Sequence, residues 1–346
     1  PEGCGFILDM EREELTLGIA HYSYKIKVGE GDYDVIGLHR VVKETRPYKP
    51  IKTCKNIFFQ HGDAVGFEGM VLYGVNAPSA PVEQSLAIYM AQNDIDFWGI
   101  DQNWILIPQE TTDFGFAENW GIQNQVDNLD IGLSVARFTR LITGGGPGKM
   151  NLIGYSSGSW TGYAYVNWET QKKAQFRNVG GYIPVDGMFK SDDEYVLGAT
   201  DTYSAMYRVD YEGGQYVTPV PFGTIGYLAM TDPDGDSPLA PGFTNYLVAM
   251  VYGAATHMFS PFTPTYHFVA GTFDPATSMP DGFQFTTDQK WFEFLVSAAP
   301  YEAMLFQIDY LETIANLVDV PWDDYLGDVT IPIMNVGAAG GLGYYS

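Results

Sequence analysis

The chain has 346 residues, enough for one large domain or one domain with a long insertion. Hydrophobic residues make up 46% and aromatic residues 15%, which excludes a globally disordered protein. The formal net charge of −24 disfavours binding to phosphate backbones and to anionic membrane surfaces, so no nucleic acid partner is expected.

The composition also bears on compartment and processing. No apolar run approaches the roughly 18 residues of a membrane span, and the first residues lack the pattern of a signal peptide. The sequence starts at Pro1, which suggests a processed chain. Two cysteines, Cys4 and Cys54, allow either one disulfide or two reduced, buried thiols. The acidity, the few lysines and the 24 tyrosines favour an exported protein, extracellular or periplasmic.

The first half of the chain alternates between strand and helix patterns. The patterns predict a hairpin over 21–42, a buried strand over 55–63, a helix over 83–93, a strand over 95–101, a helix over 124–146, a strand with a turn and helix start over 149–159, and a strand over 178–187. This alternation predicts an α/β fold, a mostly parallel sheet with helices on both faces.

The composition changes after Gly187. Residues 188–325 are rich in aromatic residues, Met, Pro and Gly, with helix patterns over 243–254 and 289–316. We interpret 1–187 as the first part of a core, 188–325 as a mainly helical cap and 326–346 as a return to the core. The apolar run at 331–336 is predicted to form a seventh strand of the core sheet.

A nucleophile turn is the strongest signal in the sequence. Gly154-Tyr155-Ser156-Ser157-Gly158 matches G-x-S-x-G between an apolar strand and a helix. In that context the central Ser156 would project at the carboxyl end of the sheet, where α/β folds place ligands. Ser156 is therefore the candidate nucleophile.

A second signal is the turn that follows the strand over 55–63. In His61-Gly62-Asp63-Ala64, a backbone N–H can point at a developing oxyanion. We expect Asp63 to supply one donor, with Ala64 the alternative, and Ser157 to supply the other. His61 is then a structural residue that bonds within the loop.

These segments resemble the α/β-hydrolase superfamily, and the first half of the chain is loosely similar to acid lipases of gastric and lysosomal type. The segments that carry the resemblance are YDVIGLHRV (33–41), NIFFQHGD (56–63), SLAIYMAQNDIDFWGID (85–101) and LIGYSSGS (152–159). The resemblance implies an α/β-hydrolase fold and a serine hydrolase that cleaves a small-molecule or lipid-like carboxylic ester without a cofactor. The chain departs from acid lipases at Tyr155, where they carry His, and at 99–103, where they carry Gly-Asn-x-Arg-Gly.

The acid and the base of a Ser–acid–His triad are harder to find. Residues 337–346, after the predicted seventh strand, contain no Asp, Glu or His, and the last histidine is His267. Three explanations stand: a second polypeptide supplies the acid and the histidine; the cap supplies His257 or His267, with Asp186 as the acid; or the fold is a catalytically inactive binding or structural module.

Two further groups are candidates for binding. Trp104, Trp120, Met258 and Phe259 are predicted to line an apolar substrate pocket. Asp232, Asp234 and Asp236 resemble the start of a calcium loop, although the glycine is misplaced and the closing Glu is missing. An acidic surface turn is the simpler interpretation, and no metal is required for the predicted chemistry.

Overall fold

A central mixed sheet organises the part of the chain described by the computed structural model, residues 6–258 and 267–342. Its strands are β1 (Phe6–Thr16), β2 (Ile19–Lys27), β3 (Val35–Arg46), β4 (Lys49–Pro50), β5 (Asn56–Gln60), β6 (Asp96–Asp101), β7 (Met150–Tyr155) and β8 (Val179–Val185). They lie in the order β1-β2-β3-β6-β5-β7-β8, with β4 paired to β3. The β1, β2, β3 and β6 neighbours are antiparallel, whereas β6, β5, β7 and β8 run parallel.

Helices cover the sheet and build the region after it. They are α1 (Phe67–Val71), α2 (Tyr73–Asn76), α3 (Leu86–Gln92), α4 (Ile122–Thr143), α5 (Gly158–Glu169), α6 (Glu194–Glu212), α7 (Phe222–Thr231), α8 (Asn245–Ala254), α9 (Asp288–Val296) and α10 (Met304–Ala315). Short strands β9 (Val217–Pro219) and β12 (Tyr301–Ala303) pair with each other, as do β10 (Gly271–Phe273) and β11 (Pro280–Phe283). In the described ranges, no helix combines the length and apolarity that crossing a bilayer requires.

Around β5 and β6 both faces of the sheet are covered by helices, and side chains alternate between the two faces along each strand. On β5, Phe58 packs into the cluster that holds α4 and α5, while Phe59 packs on the opposite face against α1 and α3. On β6, Trp98 packs in the same cluster as Phe58, and Phe97 packs on the opposite face with Phe59. The prediction of a mostly parallel sheet with helices on both faces is therefore confirmed.

Two elements differ from the sequence patterns. The strand β1 was not expected, because most of its residues are exposed and it lies at the edge of the sheet, so it shows no core alternation. The helix expected over 289–316 is two helices, α9 and α10, separated by Pro300 and β12. Proline lacks the N–H that a helix interior requires, which explains the break.

The segment 331–336 extends the sheet beyond β8 in the parallel direction. The Tyr182 N–H donates to the Pro332 carbonyl (3.0 Å), and the Met334 and Val336 N–H groups donate to Tyr182 and Pro184 (3.0 Å each). Isolated bridges rather than a continuous strand result, since Pro332 cannot donate. The segment lies where the sequence predicts the seventh strand, and Met334 is 59% exposed.

The predicted disulfide finds no support. Cys54 is a free and exposed cysteine, so it is not the buried thiol that the alternative expected. Its proposed partner, Cys4, lies outside the described residues.

Candidate active site

Ser156 occupies a strained turn at the carboxyl end of β7. Its φ of 52° lies in the left-handed region, which is unfavourable for a residue with a side chain. Neighbouring hydrogen bonds hold this conformation: the Ser156 N–H donates to Val185 (2.9 Å), and its carbonyl accepts from the Ser159 N–H (2.9 Å). The serine is thereby presented between the last residue of the strand and the first turn of α5.

The two glycines of the motif are required by close packing. A Cβ on Gly154 would lie 2.6 Å from the Gly158 carbonyl oxygen, because the strand and the helix start nearly touch. A Cβ on Gly158 would lie 2.7 Å from the Gln60 carbonyl oxygen at the end of β5. Both distances are shorter than side-chain carbon atoms tolerate, so the motif reflects the geometry of the turn.

The loop after β5 lies against this turn. A Cβ on Gly62 would lie 2.9 Å from the Cβ of Ser156, and Ala64 has a φ of 58°. The His61 ring fixes the loop, since Nδ1 bonds to the Gly62 carbonyl (2.6 Å) and Nε2 accepts from the Gln102 N–H (3.0 Å). Both ring nitrogens are therefore engaged within the loop and its neighbour.

A cavity of about 360 Å³ opens beside Ser156. Its walls are mainly apolar and aromatic, with Trp160, Phe222, Phe268 and Tyr310 among them. Asp63 and Ala64 line the same cavity as Ser156 and Tyr155. A pocket of this size and character suits a small apolar ligand with few polar contacts.

Two carboxyl groups face this cavity, from Asp63 and Glu302. Burial raises the pKa of Asp63 to about 6, while the nearby Ser157 hydroxyl opposes the rise. Burial, and next the proximity of Asp63, raise the pKa of Glu302 well above its usual range. The Gln307 side-chain amide donates to Glu302, which opposes this rise. The pair is therefore at least partly protonated near neutral pH.

Asp186 follows β8 at the same end of the sheet. It has a φ of 46°, its N–H donates to Val336 (2.7 Å), and its Oδ1 accepts from the Ala338 N–H (3.3 Å). A Cβ on Gly341 would meet the Asp186 carboxylate, and one on Gly340 would meet the His267 ring. Two adjacent residues of one turn, Gly340 and Gly341, thus lie next to His267 and Asp186, the base and acid that the sequence offered as candidates.

Several predicted ligand-binding residues lie elsewhere. Trp104 and Trp120 are buried in the main core cluster, where Trp104 stacks on Phe306 (5.6 Å between ring centres), and neither lines the cavity. The prediction that these two residues line the substrate pocket is wrong, because large apolar rings are buried as readily in the core as in a pocket wall. Met258 is 48% exposed, outside the cavity wall. Phe259 lies outside the described residues.

The acidic segment after α7 forms a turn. The Gly235 N–H donates to the Asp232 carbonyl (3.2 Å), and Asp236 accepts from the Gly242 N–H (2.9 Å). Within the described ranges, the carboxylates of Asp232, Asp234 and Asp236 do not converge as a metal-ligand group. The simpler interpretation, an acidic turn, accounts for the segment.

The polar residues of the cavity were not predicted from the sequence. Glu302 and Gln307 line it, and Thr218 donates to Gln307 (3.1 Å). A signal existed, because Glu302 is the one charged residue within the apolar run 297–308. An isolated charge in such a run is buried with its segment, and buried charges concentrate at functional sites.

Comparison with known proteins supports the architecture. No protein-family model matches the chain, and no curated protein matches it. A "putative lipase" from Sulfolobus solfataricus has 16% identity and a TM-score of 0.59, over 98% of this chain and 94% of that chain. A thermophilic esterase from Thermogutta terrifontis has 12% identity and a TM-score of 0.39, over 90% of this chain and 78% of that chain.

Only the first TM-score is high enough to show a shared fold, and 16% identity shows nothing beyond the fold. The order of the strands, the turn at Ser156 and this likeness together define the α/β-hydrolase fold. The chain has that fold. The similarity to acid lipases, in contrast, finds no support in these comparisons.

Proposed function

We propose that this protein is a serine hydrolase that cleaves carboxylic esters through an acyl-enzyme on Ser156. The observation that carries the proposal is the position of Ser156, held at a φ of 52° at the end of a parallel strand and in the wall of the 360 Å³ cavity. A strained turn that persists at a cavity wall is typical of a functional residue.

The proposed reaction follows from this arrangement. The Ser156 Oγ attacks the ester carbonyl, a base takes its proton and returns it to the departing alcohol, and water then hydrolyses the acyl-enzyme. The N–H groups of Asp63 and Ser157 would hold the oxyanion. Ala64 remains the alternative to Asp63 as the donor.

The aromatic walls of the cavity favour an apolar acyl or alcohol group in the substrate. No step of the proposed reaction needs a metal ion or an organic cofactor. From the apolar cavity walls we infer that the substrate is a small or lipid-like carboxylic ester.

We propose His267 as the base and Asp186 as the acid, both from this chain. Two observations support this pair. Gly340 lies next to the His267 ring, and the adjacent Gly341 lies next to the Asp186 carboxylate. Phe268, which follows His267, and Leu342, which follows Gly341, both line the cavity of Ser156. The chain order Ser156, Asp186, His267 is also the order of triads in this fold. The expected second polypeptide finds no support in the comparisons.

Labelling with a fluorophosphonate tests the nucleophile. We expect the wild-type protein to be labelled and Ser156→Ala to be inert, while Ser159→Ala retains the label. Hydrolysis of p-nitrophenyl esters of increasing chain length would then define the acyl preference. Labelling at a different serine would contradict the proposal.

The two cap histidines give a matched test of the base. His267→Gln is expected to reduce the labelling and hydrolysis rates by about 10²- to 10⁴-fold, whereas His257→Gln leaves them within about twofold. Equal rates in the two variants would reject His267 and favour a base from another chain.

A catalytically inactive module is the second candidate, and one observation favours it. Among the described residues that line the cavity, none is a histidine. Complete inertness of the wild-type protein towards fluorophosphonates and esters, with its fold intact by circular dichroism, would support this alternative.

A further inference from the structure

Two buried histidines lie side by side on β2 and β3, outside the cavity wall. His21 Nε2 and His39 Nδ1 are 2.9 Å apart, and the rings stack at 5.2 Å between centres. The Glu68 carboxylate, at the start of α1, completes a set whose ligand atoms all lie within 4.8 Å of one another. Among the described residues, no other group of three or more His, Cys, Asp or Glu side chains converges in this way.

We propose that His21, His39 and Glu68 bind a divalent transition-metal ion, zinc foremost. Two imidazole nitrogens and one carboxylate oxygen are a donor set that suits Zn²⁺, with water as the fourth ligand. The three residues come from β2, β3 and α1, so the ion would link the sheet to the first helix after the candidate oxyanion loop. None of the three takes part in the reaction proposed for Ser156.

An outer carboxylate already orients one of the imidazoles. His39 Nε2 bonds to Asp101 Oδ2 (3.0 Å), and Asp101 Oδ1 accepts from the Phe67 N–H (2.6 Å). The carboxylate accepts in both of these hydrogen bonds, so the proton of the His39 ring lies on Nε2. His39 Nδ1 is then left with its lone pair facing the proposed ion, an arrangement common behind metal-bound histidines.

The protonation of His21 is compatible with metal binding. Without metal, the His21 Nε2–H donates to His39 Nδ1 across the 2.9 Å contact. On binding, His21 gives up the Nε2 proton and takes one at Nδ1, so both facing nitrogens become ligands with no net proton release.

A cavity lies beside the cluster, on the side of Glu68. This cavity, of about 340 Å³, is lined by Glu68 and Asp101 together with Gly66 and Glu293. Glu68 is partly exposed and lines this cavity, whereas the two histidines are buried and do not line it. Glu68 is therefore the ligand that an ion would reach first from this cavity.

Zinc binding to the full chain tests the proposal. After dialysis against a chelator, titration with ZnCl₂ is expected to show one tight site per chain by calorimetry, with one equivalent of zinc retained by elemental analysis. Co²⁺ in place of zinc is expected to give visible absorption bands of a low-coordinate nitrogen–oxygen site. Zinc should also raise Tm, by mass action on the folded state.

Matched carboxylate variants make the test specific. Glu68→Gln is expected to weaken zinc binding at least 100-fold, and Asp101→Asn about 10- to 100-fold through the orientation of His39. Glu293→Gln removes a carboxylate of the same cavity, one that bonds to Ser79 instead, and should leave affinity unchanged. Because Glu68 is partly exposed, its variant should fold even if His39→Ala does not.

Two results would overturn the proposal. One is the absence of a one-to-one site in the wild-type protein. The other is equal zinc affinity in Glu68→Gln and Glu293→Gln, which would assign binding to the general acidity of the surface. Neither outcome depends on hydrolytic activity, so failure here is separable from failure of the proposed function.

Discussion

Gly62 and Ser156 approach each other so closely that a Cβ on Gly62 would lie 2.9 Å from the Ser156 Cβ. The loop after β5 therefore contacts the turn after β7 directly. The position of the candidate oxyanion donor is fixed relative to the serine by this contact.

The first prediction concerns that contact. Gly62→Ala would force the loop away from Ser156, at a cost of about 1 to 3 kcal/mol in stability. Because a displacement of about 1 Å can cost about 100-fold in rate, ester hydrolysis should fall by that order. The control is Gly148→Ala, since nothing lies within 4 Å of a Cβ there. Similar activity in the two variants would contradict a role for the contact.

The second prediction concerns a buried charge cluster. Asp96 bonds to both Arg40 (2.8 Å) and Arg140 (2.6 Å), which joins β6 to β3 and α4. Asp96→Asn would leave two guanidinium groups buried without their counter-charge and should lower the free energy of unfolding by about 3 to 5 kcal/mol. Urea unfolding at constant pH measures the loss.

The exposed ion pair formed by Asp94, two residues before Asp96, provides a matched control. Asp94 pairs with Lys43 (2.9 Å) with both side chains largely exposed. Asp94→Asn should therefore lower the free energy of unfolding far less than Asp96→Asn does. If Asp94→Asn and Asp96→Asn lowered the free energy of unfolding by similar amounts, burial would not explain how much the cluster stabilises the fold.

The third prediction concerns pH. The pKa of Asp63 is raised from 3.8 to about 6, chiefly by burial, so the folded state holds a proton that the unfolded state releases. Stability should therefore fall as pH rises from about 4 to 6, by on the order of 1 to 3 kcal/mol, and then level off. Glu302, which faces the same cavity, adds to this fall at higher pH.

Replacement of the acid isolates its contribution. Asp63→Asn should flatten the fall between pH 4 and 6 and make the protein more stable than wild type at pH 7.5. Exposed Glu83→Gln is the control and should leave the pH dependence unchanged. Parallel urea-unfolding profiles for wild type and Asp63→Asn would reject the assignment.

The fourth prediction concerns the edge segment 331–336. Val336 donates its N–H to Pro184 (3.0 Å), whereas strand alternation directs the Ile333 N–H away from β8. Val336→Pro should detach the end of the segment and lower both Tm and activity, because Asp186 donates to the Val336 carbonyl. Ile333→Pro should have a much smaller effect. The opposite ranking in a thermal melt would show that the register is wrong.

Much of this architecture follows from local pattern. The apolar runs that form β5, β6, β7 and β8 have the length and composition of buried parallel strands, and α4 ends at the three glycines that stop it. The edge strand β1 was not predicted, since an exposed strand has no core periodicity. The break before α10 depended on one proline within an otherwise helical pattern.

The sequence by itself determined the strand–turn–helix around Ser156, because a strained turn between close-packed elements admits only certain residues at fixed spacing. Tertiary structure alone decided what surrounds that turn. Glu302 reaches the cavity of Ser156, and Glu68 reaches His21 and His39, across large separations in sequence. These long-range contacts depend on how the helices pack on the sheet, and packing is a property of the whole core rather than of any local segment.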